Sequence, residues 1–316
     1  MQESLAESVA ESVADRALER RQRLTGIGLM CAAVTCFSCL DTTAKYLSAS
    51  IPVMEIVWAR YVVAFLFSFA VSNPVAHPSI MRTSRPVLQV VRSALLVVST
   101  LMAFIALRYL QLDEAVAIIF MAPFLVAALS GPMLGEWIGW QRWIAIVVAF
   151  CGVLVIARPG LGGIHPAALL TAASSVCYAL YILMTRLLAR TDSNETTLFY
   201  SNTVGSVVMS IAVPFVWVTP EGSFNIFLML MLGVFGGFGH YLLIKAHRLA
   251  PAGVLGPFVY IQIVSMTLLG YLVFRDVPNH WTLAGAAIIV ASGLYLLRRE
   301  QVEGREPRGA SPRNVA

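Results

Sequence analysis

Four ionisable side chains stand where the surrounding residues are apolar: Asp41, Lys45, Arg60 and Arg92. A charge at the centre of a lipid-spanning helix costs about 2.5–3.5 kcal/mol on insertion scales, so such groups face protein, water or a ligand. Asp41 and Lys45 are spaced i, i+4 and share one helix face, where they can pair. Lys45 also lies near a segment end, from which its long stem can reach the headgroups. Asp41 is one turn deeper and is read as facing a cavity. Arg60, with Tyr61 beside it, offers a planar fork suited to an anionic or polar substrate group. The alternative for Arg60 is a fixed ion pair with Asp41 that staples two helices. Arg92 lies about one turn inside its segment and is read as snorkelling to the interface. Asp41, Glu55 and His240 are candidates for proton coupling, although a histidine at such a place also serves to bond a backbone carbonyl.

A second set is polar without being charged. Tyr178, Tyr181, Tyr200, Asn202, His240, Tyr241, Tyr260 and Gln262 are expected to line a cavity with Asp41, Arg60 and Tyr61. An amide such as Gln262 inside lipid needs partners, on another helix or on a ligand. This inventory suits binding rather than catalysis. The chain has no Gly-rich loop ending in Gly-Lys-Ser/Thr, no His-Glu-x-x-His and no Gly-x-Ser-x-Gly, so no enzymatic role, metal or cofactor is expected. Cys36 and Cys39 have redox-motif spacing but lack a histidine spaced for zinc; with Cys31, Cys151 and Cys177 they read as small packing residues.

What positions these groups follows from composition. The chain of 316 residues is 58% hydrophobic and 12% charged, with mean hydropathy +0.77, so lipid is the solvent for most of it. The basic balance, pI near 9.1, is explained by topology, and no basic stretch interleaved with aromatics points to nucleic acid. The reading is all-α and integral to the membrane. Apolar spans are expected at about 24–45, 53–72, 87–107, 113–132, 140–157, 166–189, 196–217, 224–246, 251–274 and 281–298. Residues 1–23 are expected to form an N-terminal tail, as a short surface helix or as disordered chain, and 299–316 a disordered tail. The N-terminal segment lacks the short apolar core of a signal peptide.

Of the 22 Lys and Arg, Lys45, Arg108, Arg158 and Arg275 fall on one side and Arg60 and Arg92 lie within spans; the remaining sixteen share the other side. That asymmetry places both termini in the cytoplasm. Trp58, Trp137, Trp140, Trp143, Trp217 and Trp281 fall near span ends, where an amphipathic ring prefers the interface. Gly233, Gly236 and Gly237 give small-residue spacing that permits close helix contact. Pro123, Pro214 and Pro257 would interrupt local hydrogen bonding. Pro123 and Pro257 are not matched by the chain's internal offset, so paired broken helices are not expected.

That offset is 140 residues. Leu29 and Leu169, Glu55 and Glu195, Ala106 and Ala246, Arg108 and Arg248, and Glu136 and Asp276 all obey it. One spacing held across a whole half signals a duplicated unit, here 24–158 and 166–298. Five spans per copy is an odd number, so the second copy enters the bilayer from the opposite side. Ten helices then form two five-helix inverted-topology repeats, an arrangement found in secondary transporters.

The stretch Phe37-Ser-Cys-Leu-Asp41-Thr-Thr-Ala-Lys45, the run from Pro52 to Arg60, Met121-Ala-Pro123 and Ala246-His-Arg248 resemble drug/metabolite transporters of the EamA type. The resemblance covers roughly residues 24–298. It implies a central cavity, alternating access and a small-molecule substrate moved across a bacterial-type inner membrane. The Asp-x-x-x-Lys stretch with the second-span Arg60 resembles members that carry riboflavin or S-adenosylmethionine; others export amino acids or drugs. A membrane enzyme or scaffold of another class would need a catalytic cluster at one interface, and the sequence offers none. Oligomeric state, coupling ion and direction have no signature here.

Overall fold

The computed structural model describes residues 2–303, except 73, 75, 76, 136, 138, 158–164 and 251. Every regular element among them is helical. Helix α1 (Gln2–Leu47) runs unbroken through residue 24, so the N-terminal segment continues into the first apolar span. Three of its hydroxyls are satisfied within the helix: Ser38 donates to the Val34 carbonyl, Thr42 to Ser38 and Thr43 to Cys39, at 2.7–3.0 Å. Such bonding back by one turn lets polar residues sit in an apolar span without orphaned donors.

Helices α2 (Val53–Ser72) and α3 (Pro86–Leu107) follow, the second opened by a proline whose missing N–H costs nothing in the first turn. The fourth expected span is two helices. α4 (Leu112–Ile119) stops at Phe120 and Met121, and α5 (Ala122–Leu134) restarts with Pro123 in its first turn. Gly135, at φ 76°, ends α5 in a left-handed conformation that favours glycine. Then come α6 (Trp140–Ala157), α7 (Pro166–Leu188), α8 (Asn194–Ala212) and α9 (Gly222–Leu249). Ser193 caps α8 by accepting from the Thr196 N–H at 3.1 Å.

The ninth span is also interrupted. The single turn α10 (Ala252–Leu255) passes through a tighter 3₁₀ stretch, Gly256–Tyr260, into α11 (Ile261–Leu269) and a π-type turn, Gly270–Phe274. α12 (His280–Glu303) closes the described chain; the rest of the expected C-terminal tail, 304–316, lies outside it. The two interruptions correct the expectation of unpaired breaks: Phe120 and Tyr260 stand 140 positions apart, and their rings meet at 5.1 Å. The prolines follow the break in one case and precede its end in the other, which is why matching proline to proline missed it.

Among the described residues, seven stretches are long and apolar enough to cross a bilayer, and three shorter apolar helices, Trp143–Ile156, Phe258–Phe274 and His280–Tyr295, accompany them. Large apolar side chains point outward, among them Phe215, Val87 and Val147, as a lipid solvent requires. This is a multi-pass membrane protein. α1 packs along α9, α3 along α7 and α6 along α12, while α2 lies against both α8 and α9. The α6–α12 crossing is made at Gly152 and Gly285, where an added Cβ would meet the facing backbone carbonyl at 3.0 and 2.6 Å. Ser99 and Ser174 clamp α3 to α7, each hydroxyl donating to the other residue's carbonyl at 3.0 and 2.8 Å.

One loop anchor has a pH signature. Asp192, just before α8, accepts from Thr83 and, at 2.7 Å, from Gln89 Nε2 on α3. Burial alone would raise its pKa, but these bonds and others from Thr191 and Ser84 outweigh it and hold the carboxyl below its ordinary value. A folded-state pKa below the unfolded one gives stability above the ordinary aspartate range that disappears as pH falls through the depressed value. Melting temperatures of wild type and Asp192→Asn should therefore differ most above about pH 5 and converge as pH falls below the ordinary aspartate value of about 3.9. A difference that stays constant with pH would remove this role.

Candidate functional site

Arg60 projects from α2 toward α3 and α9. Its Nη1 donates to Thr100 Oγ1 at 2.7 Å, and its guanidinium lies 5.1 Å from the Tyr61 ring and 5.8 Å from the Phe104 ring. Tyr61, 2% exposed, shares the same threonine at 3.2 Å. Close approach of α9 makes the room: Gly236 faces Arg60 and Leu40, and Gly237 faces Phe67. Arg60, Tyr61, Tyr181, Ser201, Asn202 and His240 border a narrow cavity of about 20 Å³, with Ala64, Leu96, Leu198, Gly236 and Gly237 completing its wall. That volume holds a water rather than a metabolite, so a substrate of any size needs the helices to part.

Asp41 stands nearby on α1, with Arg60 the charge that acts on it, yet no ion pair joins them among the described residues. The proposed Arg60–Asp41 staple is absent, and so is the Asp41–Lys45 pair. Lys45 instead reaches across the bundle, donating to the Leu110 carbonyl at 2.6 Å and to Asp276 Oδ2 at 3.2 Å, with its ammonium 5.0 Å from the Phe274 ring. Arg275, in a left-handed conformation at φ 60°, turns the chain so that Asp276 folds back toward α1. Lys45 is thus a latch between helix ends rather than a headgroup anchor. Because the pair is about one fifth exposed, water screens it. A double-mutant cycle of Lys45→Met and Asp276→Asn should give a coupling of about 1 kcal/mol in unfolding stability; strict additivity would show the latch to be idle.

Arg92 overturns the snorkelling expectation. It is 2% exposed, and its guanidinium donates to Thr185 Oγ1 at 2.6 Å, Ser201 Oγ at 2.9 Å, Tyr181 OH at 2.9 Å and the Thr197 carbonyl at 3.1 Å. Helices α7 and α8 pack across α3 at this depth, so the side chain meets protein where a lone helix would have met headgroups. Tyr181 and Ser201 therefore both hold Arg92 and line the cavity. Thr100 and Ser201 are residues that sequence reasoning missed, since a lone hydroxyl in a span gives no signal; Arg92 was singled out for its charge but given another role.

The other expected site residues divide. Tyr178 stacks on Tyr181, with centroids 5.6 Å apart and planes at 21°, and so backs the cavity wall. His240 packs against Phe37 at 5.0 Å. Asn202 Nδ2 donates to Ser68 Oγ at 2.7 Å, tying α8 to α2 beside the cavity. Tyr200 lies apart, its hydroxyl donating to the Met81 carbonyl at 3.1 Å. Tyr260 sits at the ninth-span break against Phe120 and close to Gly293, and half-buried Gln262 is on α11; neither borders this cavity. Glu55 is fully buried near the first turn of α2: one carboxylate oxygen accepts from the Val218 N–H at 3.2 Å and the other has no partner. Its offset mate Glu195 pairs with Arg248 at 3.0 Å.

Comparison with known proteins agrees with this architecture. A model of the EamA-like transporter family matches residues 24–158 and again 165–298. The chain is 28% identical over 281 residues to an S-adenosylmethionine uptake transporter of Rickettsia felis, covering 88% of this chain and 94% of that protein. It is 26% identical over 294 residues to a riboflavin transporter of Rhizobium johnstonii, covering 92% and 97%. It is also 27% identical over 282 residues to the pseudopaline exporter CntI of Pseudomonas aeruginosa, covering 88% and 97%. A crystal structure with 18% identity superposes with a TM-score of 0.62 over 87% of this chain and 98% of its own, a likeness of fold.

Proposed function

Because the chain belongs to the EamA-like transporter family, we propose that it moves a small planar organic metabolite across the inner membrane by alternating access, through the cavity beside Arg60. The cavity carries this reading: a cation, two phenols, an amide and an imidazole converge between helices, buried from lipid. Riboflavin-like and S-adenosylmethionine-like molecules are the leading substrate classes, in keeping with the names of the relatives. Asp41, Arg60, Tyr61, Tyr178, Tyr181, Asn202 and His240 are assigned to the site. Tyr200, Tyr260 and Gln262 would join it only in another conformation. Asp41, Glu55 and His240 remain the candidates for proton coupling.

In this reading the seven longer and three shorter apolar helices are ten crossings, arranged as inverted repeats 24–158 and 166–298 between a cytoplasmic N-terminal segment 1–23 and a tail 299–316. The family model matching twice supports it. So does the packing: shifting by 140 residues exchanges the α1–α9 contact with the α3–α7 contact. Offset mates also differ in state, Glu195 being paired with Arg248 while Glu55 and Arg108 are not joined among the described residues. Two halves in different conformations are what alternating access requires. Charge asymmetry supports cytoplasmic termini.

The test is uptake of labelled riboflavin and S-adenosylmethionine into proteoliposomes holding the full chain. Saturable uptake of one, competed by its unlabelled form, is expected. Uptake of both no faster than into protein-free liposomes would reject this pair of classes.

A further inference from the structure

We propose that the transported metabolite carries an anionic group, a carboxylate or phosphoryl, next to its planar ring, and that Arg60 grips that group. The inference rests on the cavity being the transport site. It comes from an imbalance of charge. Arg92 is 2% exposed, and all four of its hydrogen-bond partners are neutral: a phenol, two hydroxyls and a carbonyl. Arg60 has one hydroxyl partner and the faces of two aromatic rings. Among the described residues neither guanidinium has a carboxylate within ion-pair distance.

A buried cation normally brings its counter-charge with it, because desolvation costs several kcal/mol per ion. Here Arg60 acts on Asp41 without an ion pair between them, Asp276 is paired with Lys45, and Glu55, the acid on the same helix as Arg60, accepts from the Val218 N–H. Among the described residues Arg92 thus has no carboxylate of its own. Neutral acceptors spread the charge of Arg92 without cancelling it, and the low dielectric of the bundle carries the surplus to the cavity wall. Tyr181 and Ser201 both bond Arg92 and line the cavity that Arg60 borders. Arg60 supplies contact: among the described residues its one close hydrogen bond is to Thr100, which leaves donors in the planar fork that matches two oxygens of a carboxylate or phosphate. Tyr61, Tyr181 and His240 supply flat surfaces for the ring.

Two ligand pairs that differ in charge on a common ring decide the point. Riboflavin is neutral and flavin mononucleotide adds a phosphate of about −1.5 to −2 at pH 7; S-adenosylmethionine is a net cation and S-adenosylhomocysteine lacks its sulfonium charge. Affinities are read from dose-dependent melting of the purified full chain. Flavin mononucleotide should bind at least about tenfold more tightly than riboflavin, as expected for a charge-assisted contact. S-adenosylhomocysteine should bind at least as tightly as S-adenosylmethionine. The flavin preference should vanish in Arg60→Gln and return in part in Arg60→Lys, which keeps the charge and loses the fork. Riboflavin matching flavin mononucleotide, or S-adenosylmethionine binding best, overturns the charge inference and leaves the cavity standing. If no ligand gives a shift that depends on Arg60, both the inference and the cavity assignment fall.

Discussion

Arg60→Gln is expected to lower substrate uptake by about ten- to a hundredfold at subsaturating substrate, while the protein stays folded in the membrane. The size follows from losing hydrogen bonds between a cation and a polar or anionic group, about 1.5–3 kcal/mol, at about 1.4 kcal/mol per factor of ten. Folding should survive because, among the described residues, Arg60 has one close hydrogen bond, to Thr100. Arg92 makes the contrast. It spends its donors on four acceptors from two helices, so Arg92→Gln should lower the melting temperature as well as uptake, through unsatisfied buried groups. The two arginines can thus be separated by one pair of measurements. Uptake by Arg60→Gln equal to wild type, at matched protein in the liposomes, would remove Arg60 from the site.

The contrast also shows what the linear chain conceals. Apolar segments are legible because lipid forces every backbone group to be satisfied within a helix, so long hydrophobic runs have one outcome. A 140-residue offset is legible as identities along the chain, while Arg60 and Tyr61 stood out because a charge inside an apolar span is costly. Side-chain partners are another matter. Lys45 has an aspartate one turn away in sequence, yet it binds Asp276, 231 residues distant, because the turn at Arg275 brings that carboxylate over α1. Local spacing proposes pairs, and tertiary packing chooses among them. Arg92 failed for the same reason: its depth was measured along one helix, and the neighbours that bury it were not in that helix. The pairing of the fourth- and ninth-span breaks escaped because proline marks the restart of a helix as readily as its end.

Close helix approach yields the largest expected effect on stability. A Cβ added at Gly233 of α9 would lie 2.2 Å from Val63 Cβ and 2.8 Å from the Ala64 backbone nitrogen on α2. Neither atom is the free end of a side chain, so the clash can be relieved only by moving one helix off the other. Overpacking of this kind typically costs 1–3 kcal/mol, and about the upper part of that range is expected for Gly233→Ala. The consequence extends to function, since α2 carries Arg60 and Tyr61 and α9 carries Gly236, Gly237 and His240 on the same cavity. A lower melting temperature and reduced uptake should therefore appear together. Val63→Gly combined with Gly233→Ala returns the missing space to the opposite helix and should recover much of both losses. Gly233→Ala with wild-type melting and uptake would mean that α2 and α9 do not meet at this depth; a double variant no better than Gly233→Ala would place the strain elsewhere in the contact.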